Sequence, residues 1–245
     1  MDHAVRWRRS DKVGHLTFCR SSKRNALRMA DWAELSDMLD AISTAGVQAL
    51  IIESLDPQVF SAGSDLVEVE ALSEKPENAA PFAKAMQRVM QQLGAGPMVT
   101  IAGIAGPCHG AGVAIAMACD IRVARPRATF SIPPAKFGIS YPSGDIRRLA
   151  RLVGRGQAAR LLYSAETIDA QEAARIGLVD LLDDNVAARC QELAQQIAAN
   201  SAESIALLKG TLDRHVSTEE PDQQFLDGFR TTDFLRFSGR DRGQV

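Results

Sequence analysis

The run Gly110-Ala111-Gly112-Val113-Ala114-Ile115-Ala116-Met117-Ala118-Cys119 limits what this chain can fold into more than any other segment. The helix predicted over Val113 to Cys119 carries no polar residue on any face, so no orientation suits it to a surface and it must be enclosed on all sides. Enclosure needs neighbouring layers, and the flanking pattern supplies them. Met98 to Ile101 reads as a strand, Gly103 to Gly112 as a glycine-rich turn, and Ile121 to Ala124 and Thr129 to Ser131 as the strands that follow. Upstream, Val5 to Arg8 and Val13 to Phe18 form a hairpin around Ser10-Asp11. Trp32, Leu35, Leu39 and Ile42, at steps of three and four, predict a helix that ends by Gly46, and Ala49 to Ser54 is a short apolar strand. Pro76 and Pro81 are expected to break helices in a loop-rich excursion, after which Phe82, Met86, Val89 and Leu93 fall at helical steps.

Strands and helices alternate to about residue 131, and from Gly144 onward helices stand almost alone, with Val186, Cys190, Leu193 and Ile197 on one face. Alternation predicts an α/β fold with a largely parallel sheet, since parallel strands need crossover connections. We divide the chain into a core, 1–190, and a C-terminal helical region, 191–245. Composition is used here only to exclude. Lys and Arg total 28 against 30 Asp and Glu, a net charge of −2 without like-charge runs, so neither nucleic acid nor a membrane surface is an expected partner. The four cysteines and four histidines show no ligand spacing and no C-x-x-C pair, so no metal site and no disulfide framework are expected. No apolar span follows the N-terminus, and a cytosolic location is expected.

Two strand-to-loop-to-helix junctions carry the chemistry. In Phe60-Ser61-Ala62-Gly63-Ser64-Asp65-Leu66 the small side chains let a ligand approach the backbone, and Asp65 can accept loop or helix N–H groups. In Gly110-Ala111-Gly112 the unpaired amides and positive dipole end of the apolar helix attract developing negative charge. Two such donors on one oxygen make an oxyanion hole, although a glycine turn before a helix also serves as a cap or a packing device. A dinucleotide-binding reading of Gly110-x-Gly112 lacks the third glycine and the acidic ribose partner.

With their flanks these segments resemble the crotonase superfamily, the enoyl-CoA hydratase/isomerase family. The matching words are Lys23-Arg24-Asn25-Ala26-Leu27, Phe60 to Leu66, Gly106 to Arg122, Arg148-Leu149-x-Arg151-Leu152-Val153-Gly154 and Ala170-x-Glu172-Ala173-x-x-x-Gly177-Leu178-Val179, in order over about residues 5 to 235. The resemblance implies a spiral of ββα units with a C-terminal helical region through which chains assemble as a homotrimer or a dimer of trimers. It also implies an acyl-CoA thioester substrate, with no cofactor beyond the coenzyme A of that ester. Carried over by position, the N–H groups of Ala62 and Ala111 bind the thioester oxygen, and Arg24, Ala26, Gly63, Ser64 and Asp65 line the CoA moiety. Arg24 is placed either on a phosphate or in solvent, and Asp65 serves as a loop acceptor.

The family's hydratases work with two glutamates, and the matching positions here hold Ala114 and Pro134. Lyase, decarboxylase or isomerase chemistry on an enolate is therefore expected over hydration. Tyr141 stands where the family's methylmalonyl-CoA decarboxylases carry a tyrosine near the reacting carboxylate; the other reading is a packed residue with its hydroxyl on a backbone carbonyl. His109, Glu68 and Asp145 are further candidates for proton transfer, each with a structural reading beside it. The alternative functions are a catalytically silent acyl-CoA-binding protein of the same fold and a serine hydrolase acting through Ser64 and His109.

Overall fold

In a computed structural model, which describes residues 3–212 and 223–237, the chain builds two sheets around the apolar helix. The larger has six strands: β1 (Val5–Ser10), β2 (Val13–Phe18), β3 (Ala49–Ser54), β4 (Val99–Ile104), β6 (Ile121–Ala124) and β9 (Leu181–Leu182), in the order β1-β2-β3-β4-β6-β9. Only the β1–β2 hairpin is antiparallel; every later pairing in this sheet is parallel. The smaller sheet joins β5 (Cys108–His109), β7 (Thr129–Ser131) and β8 (Thr167–Asp169), with β5 and β7 parallel and β7 and β8 antiparallel.

The period-2 pleat of β3 shows how the layers are filled. Leu50 and Ile52 face the main core, together with α1 (Met29–Thr44), α3 (Ala79–Ala95) and α4 (Ala111–Ala118), while Ala49 and Ile51 face α7 (Val186–Ala198) on the other side. The stripe Trp32, Leu35, Leu39 and Ile42 of α1 is wholly buried, as its spacing requires. Burial of each such Leu or Ile is worth about 1.5–3 kcal/mol. All eight residues of α4 are buried, so the enclosure expected of an all-apolar helix is met from every side.

Four details differ from the expectations. Pro81 does not break a helix: it lies in the first turn of α3, where an N–H would have no intrahelical partner, and Pro76 opens a short 3-10 turn over Pro76–Asn78. Asp65 caps a further short helix, α2 (Leu66–Ala71), within the loop-rich excursion. Two short strands, β8 and β9, interrupt the helical second half, alongside α5 (Ser143–Ser164, broken at Gly154) and α6 (Ala170–Arg175). The division at 190 falls inside α7, whose Cys190 and Ala194 are fully buried on the sheet. Beyond it lie α8 (Ala202–Leu212), α9 (Gln223–Gly228) and α10 (Thr232–Phe237); residues 213–222 and 238–245 of the C-terminal region lie outside the described residues.

Candidate active site

The loop at residues 20–27 and the loop at 61–65 run side by side and are joined by backbone hydrogen bonds. The Ala62 N–H donates to the Arg24 carbonyl, the Leu27 N–H to the Gly63 carbonyl and the Asp65 N–H to the Leu27 carbonyl, each at 2.8 Å. Asp65 secures the junction: its carboxylate accepts from Arg20 Nη1 at 2.9 Å and from the Val67 N–H at 3.2 Å, and the same Arg20 nitrogen reaches the Ala26 carbonyl. Asp65 is thus the loop acceptor expected of it. Arg20 was not singled out from sequence, because its partners lie 6 and 45 residues away.

This pairing corrects one donor assignment. The Ala62 N–H is held by Arg24 O and does not point to an open site. The neighbouring peptide is free. Leu27 supplies both bonds of its parallel bridge to Ser64. No peptide bond among the described residues is cis, so the Ser64 N–H points opposite to the Gly63 carbonyl and away from Leu27. Among the described residues that N–H has no partner, and Ser64 lines an apolar cavity.

The second junction presents a matching group. The Gly110 carbonyl accepts from the Val113 N–H at 3.0 Å and from the Tyr141 hydroxyl at 2.9 Å, which turns the Ala111 N–H the other way, at the positive end of α4 and without a partner among the described residues. The two junctions press against each other. A Cβ at Gly63 would stand 2.6 Å from Ala111 N and 2.9 Å from His109 O, and one at Gly112 would stand 2.7 Å from Ser61 O. Both positions need glycine for this close approach, and Gly63 also has φ +94°.

The cavity that these peptides enter holds about 740 Å³ of space, part of it open to solvent. Leu66, Val69, Phe82, Met86, Phe137 and Ile139 supply apolar walls, and Ala62, Ser64, Gly110, Ala111, Pro134 and Tyr141 surround the donor end. Among the described residues Tyr141 is the one titratable side chain that lines it; no carboxylate, imidazole, amine, guanidinium or thiol of those residues does.

His109, Glu68 and Asp145, the further candidates for proton transfer, do not line it. His109 sets Nε2 against Thr129 Oγ1 at 3.3 Å, and burial, then the Arg24 charge, hold its pKa below the ordinary imidazole value. No hydrogen bond joins it to Ser64 among the described residues. Glu68 accepts the Met29 N–H at the start of α1. Asp145 is buried and pairs with Arg148 at 2.7 Å; burial raises its pKa. The Tyr141 hydroxyl donates to Gly110 O, and burial pushes its pKa well up. Arg24 points an exposed side chain outward beside the half-buried Ala26. Burial also raises the Cys108 thiol well above its usual range and takes Cys119 up to about 12, so both are inert core residues. Asp120 accepts Thr100 N and Oγ1 and pairs with Lys209 at 2.8 Å, a structural tie.

Among the described residues no group of three or more His, Cys, Asp or Glu side chains is placed to hold a metal ion, and no helix is long and apolar enough to cross a membrane. The family model described as enoyl-CoA hydratase/isomerase matches residues 8–234. A crotonyl-CoA hydratase of Syntrophomonas wolfei is 31% identical over 214 residues, covering 86% of this chain and 82% of its own length. A short-chain-enoyl-CoA hydratase of Clostridium acetobutylicum is 32% identical over 83% of this chain and 78% of its own. The crystal structure of an enoyl-CoA hydratase from Thermoplasma volcanium superposes with a TM-score of 0.89 at 26% identity, covering 98% of each chain. That of an enoyl-CoA hydratase from Bacillus anthracis gives 0.88 at 25%, covering 99% of this chain and 98% of its own.

Proposed function

Because this chain belongs to the enoyl-CoA hydratase/isomerase family and has its crotonase fold, we propose that it holds an acyl-CoA thioester with the carbonyl oxygen between the N–H groups of Ser64 and Ala111, and stabilises the enolate that forms there. The observation that carries this reading is the pair of unpartnered peptide N–H groups at one end of an apolar cavity. Charge that develops on the oxygen meets two fixed dipoles and the positive end of α4 in a place poor in water, where one donor is worth roughly a hundred- to a thousandfold in rate. The CoA moiety runs along the paired loops at 20–27 and 61–65, past Ala26, Gly63, Ser64 and Asp65, with the exposed Arg24 available to a phosphate. No cofactor beyond the coenzyme A of the ester enters this reading.

The reaction follows from what the cavity lacks. Hydration needs a base for water and an acid for the α-carbon, and the positions that match the hydratases' glutamates are Ala114, buried in α4, and Pro134, in the cavity wall. Lyase, decarboxylase or isomerase chemistry is favoured, and within that set decarboxylation asks least of the protein. The bond between the α-carbon and a substrate carboxylate breaks, the carboxylate leaves as carbon dioxide, its bonding electron pair passes to the α-carbon and is taken up by the thioester carbonyl as an enolate, and water returns a proton to the α-carbon. Tyr141, with its O–H committed to Gly110 O, does not supply that proton. That no carboxylate, imidazole or amine among the described residues lines the cavity also favours a second reading, a protein that binds acyl-CoA without chemistry.

A panel of malonyl-type, branched and enoyl thioesters, assayed for turnover and for deuterium exchange at the α-carbon, tests both. We expect enolate chemistry on at least one ester, and crotonyl-CoA hydration weaker by about 10⁴-fold or more than in an enzyme with both acid/base groups. Binding without turnover or exchange leaves the silent reading; a protein that binds no acyl-CoA refutes the site altogether. The family resemblance and the exposed C-terminal side chains support a homotrimer or a dimer of trimers, and the buried, high-pKa thiols of Cys108 and Cys119 suit a reducing, cytosolic setting.

A further inference from the structure

Each donor peptide of the site has its carbonyl end occupied. The Gly63 carbonyl takes the Leu27 N–H at 2.8 Å, and the Gly110 carbonyl takes the Tyr141 hydroxyl at 2.9 Å besides the helix N–H of Val113. A hydrogen bond to an amide oxygen draws electron density through the C–N bond and makes the N–H at the far end a stronger donor. At Ser64 the polarising group is backbone. At Ala111 one of them is a side chain.

We infer that Tyr141 is a positioning residue of the oxyanion hole: its O–H, held on the Gly110 carbonyl, polarises and orients the Gly110–Ala111 peptide so that the Ala111 N–H binds the thioester oxygen more strongly. This rests on the donor reading above and adds a residue to it. The ring of Tyr141 is part of the cavity wall and only 7% exposed, so water does not compete for the hydroxyl. A buried phenol keeps its proton, because burial raises its pKa well above the usual value, and it therefore remains a donor across the working pH range. Tyr141 thus reaches the reacting oxygen through the intervening peptide.

The test reads carbonyl polarisation directly and needs no turnover. A 2,4-dienoyl-CoA thioester is a conjugated chromophore whose absorption moves to longer wavelength when its carbonyl oxygen accepts hydrogen bonds. Bound to the full chain it should shift to the red. In Tyr141→Phe the shift should shrink by roughly 10–30%, the share expected of one cooperative hydrogen bond, with thermal stability and the affinity for free coenzyme A, which has no acyl carbonyl, little changed. Replacing the tyrosines with fluorotyrosine, a more acidic phenol, should enlarge it. Only Tyr141 and Tyr163 would be altered, and Tyr163 is 81% exposed on α5, so this second measurement decides the matter if the phenylalanine variant folds poorly. A wild-type shift that neither replacement moves overturns the role of Tyr141 alone. A wild-type protein that binds the dienoyl ester without any shift overturns the donor pair as well.

Discussion

A peptide N–H can be deleted only by proline, so backbone donors and side-chain nucleophiles separate cleanly under substitution. Ala111 is the first residue of α4, a position where proline's fixed φ fits and where no intrahelical hydrogen bond is lost. Ala111→Pro should leave the helix in place, put a ring carbon where the thioester oxygen sits, and lower turnover or abolish the dienoyl red shift by the hundredfold or more that one donor is worth. Ser64→Ala, by contrast, keeps the N–H, and thioester binding should stay within about threefold of wild type. Loss of all function in Ser64→Ala, together with labelling of wild type by a serine-reactive phosphonate, would instead indicate a hydroxyl nucleophile and sink the backbone reading. The same residues show what the sequence could and could not tell. The word Phe60 to Leu66 marks the loop, yet the choice between Ala62 and Ser64 is made by Arg24 and Leu27, whose bonds cross some 37 residues of chain. No local pattern records which of two similar peptides is already taken. Tyr141 was legible as a cavity residue, but its partner Gly110 stands 31 positions earlier.

At the scale of elements, legibility tracks how much chain an element uses to bury itself. The strands at Ala49–Ser54, Ile121–Ala124 and Thr129–Ser131 and the stripe of α1 follow from apolar pattern because each is filled by its own side chains. The strands β8 and β9 escape it, since each is a short link between two helices and its pairing is set by the strand beside it. Just after β8, α6 shows how charge then fixes an element in place. Glu172 accepts from Arg175 on its own helix and from Arg160 on α5, both with contacts at 2.6 Å, while the Asp169 carboxylate caps the helix by accepting the Glu172 N–H. The Arg175 hydrogen bond first, then that of Arg160, lower the Glu172 pKa from 4.5 to about 2. A carboxyl group depressed by folding stabilises the native state above its unfolded value, and that contribution fades as pH falls through the folded one. The tie between α5 and α6 should therefore hold at pH 5 and be lost between about pH 4.5 and 2. A carbon-13 titration of the Glu172 carboxyl should give a midpoint near 2; one near 4.5 would mean that the arginines do not hold it in solution.

For the whole molecule, the question is what covers the C-terminal helices. Lys209 anchors α8 to the core by donating to Met98 O and to Asp120, at 2.7 and 2.8 Å. With that side chain turned in, Leu208 and Leu212 are left 63% and 88% exposed, and Phe237 of α10 is 89% exposed. Large apolar side chains gathered in one region of a chain, rather than scattered singly, mark a surface that meets something else. In the proposed homotrimer a second and third copy of the chain would be the occupant. At micromolar concentration the protein should sediment as three chains of 26.4 kDa, about 79 kDa, or as twice that. Leu212→Asp combined with Phe237→Asp should drive it toward the single-chain mass while leaving the melting of the core nearly unchanged, because neither side chain is buried within one chain and surface substitutions of this kind usually cost under about 0.5 kcal/mol. A wild-type protein that sediments as a monomer would overturn the assembly. Unchanged assembly in the double variant would move the interface to another face of the fold.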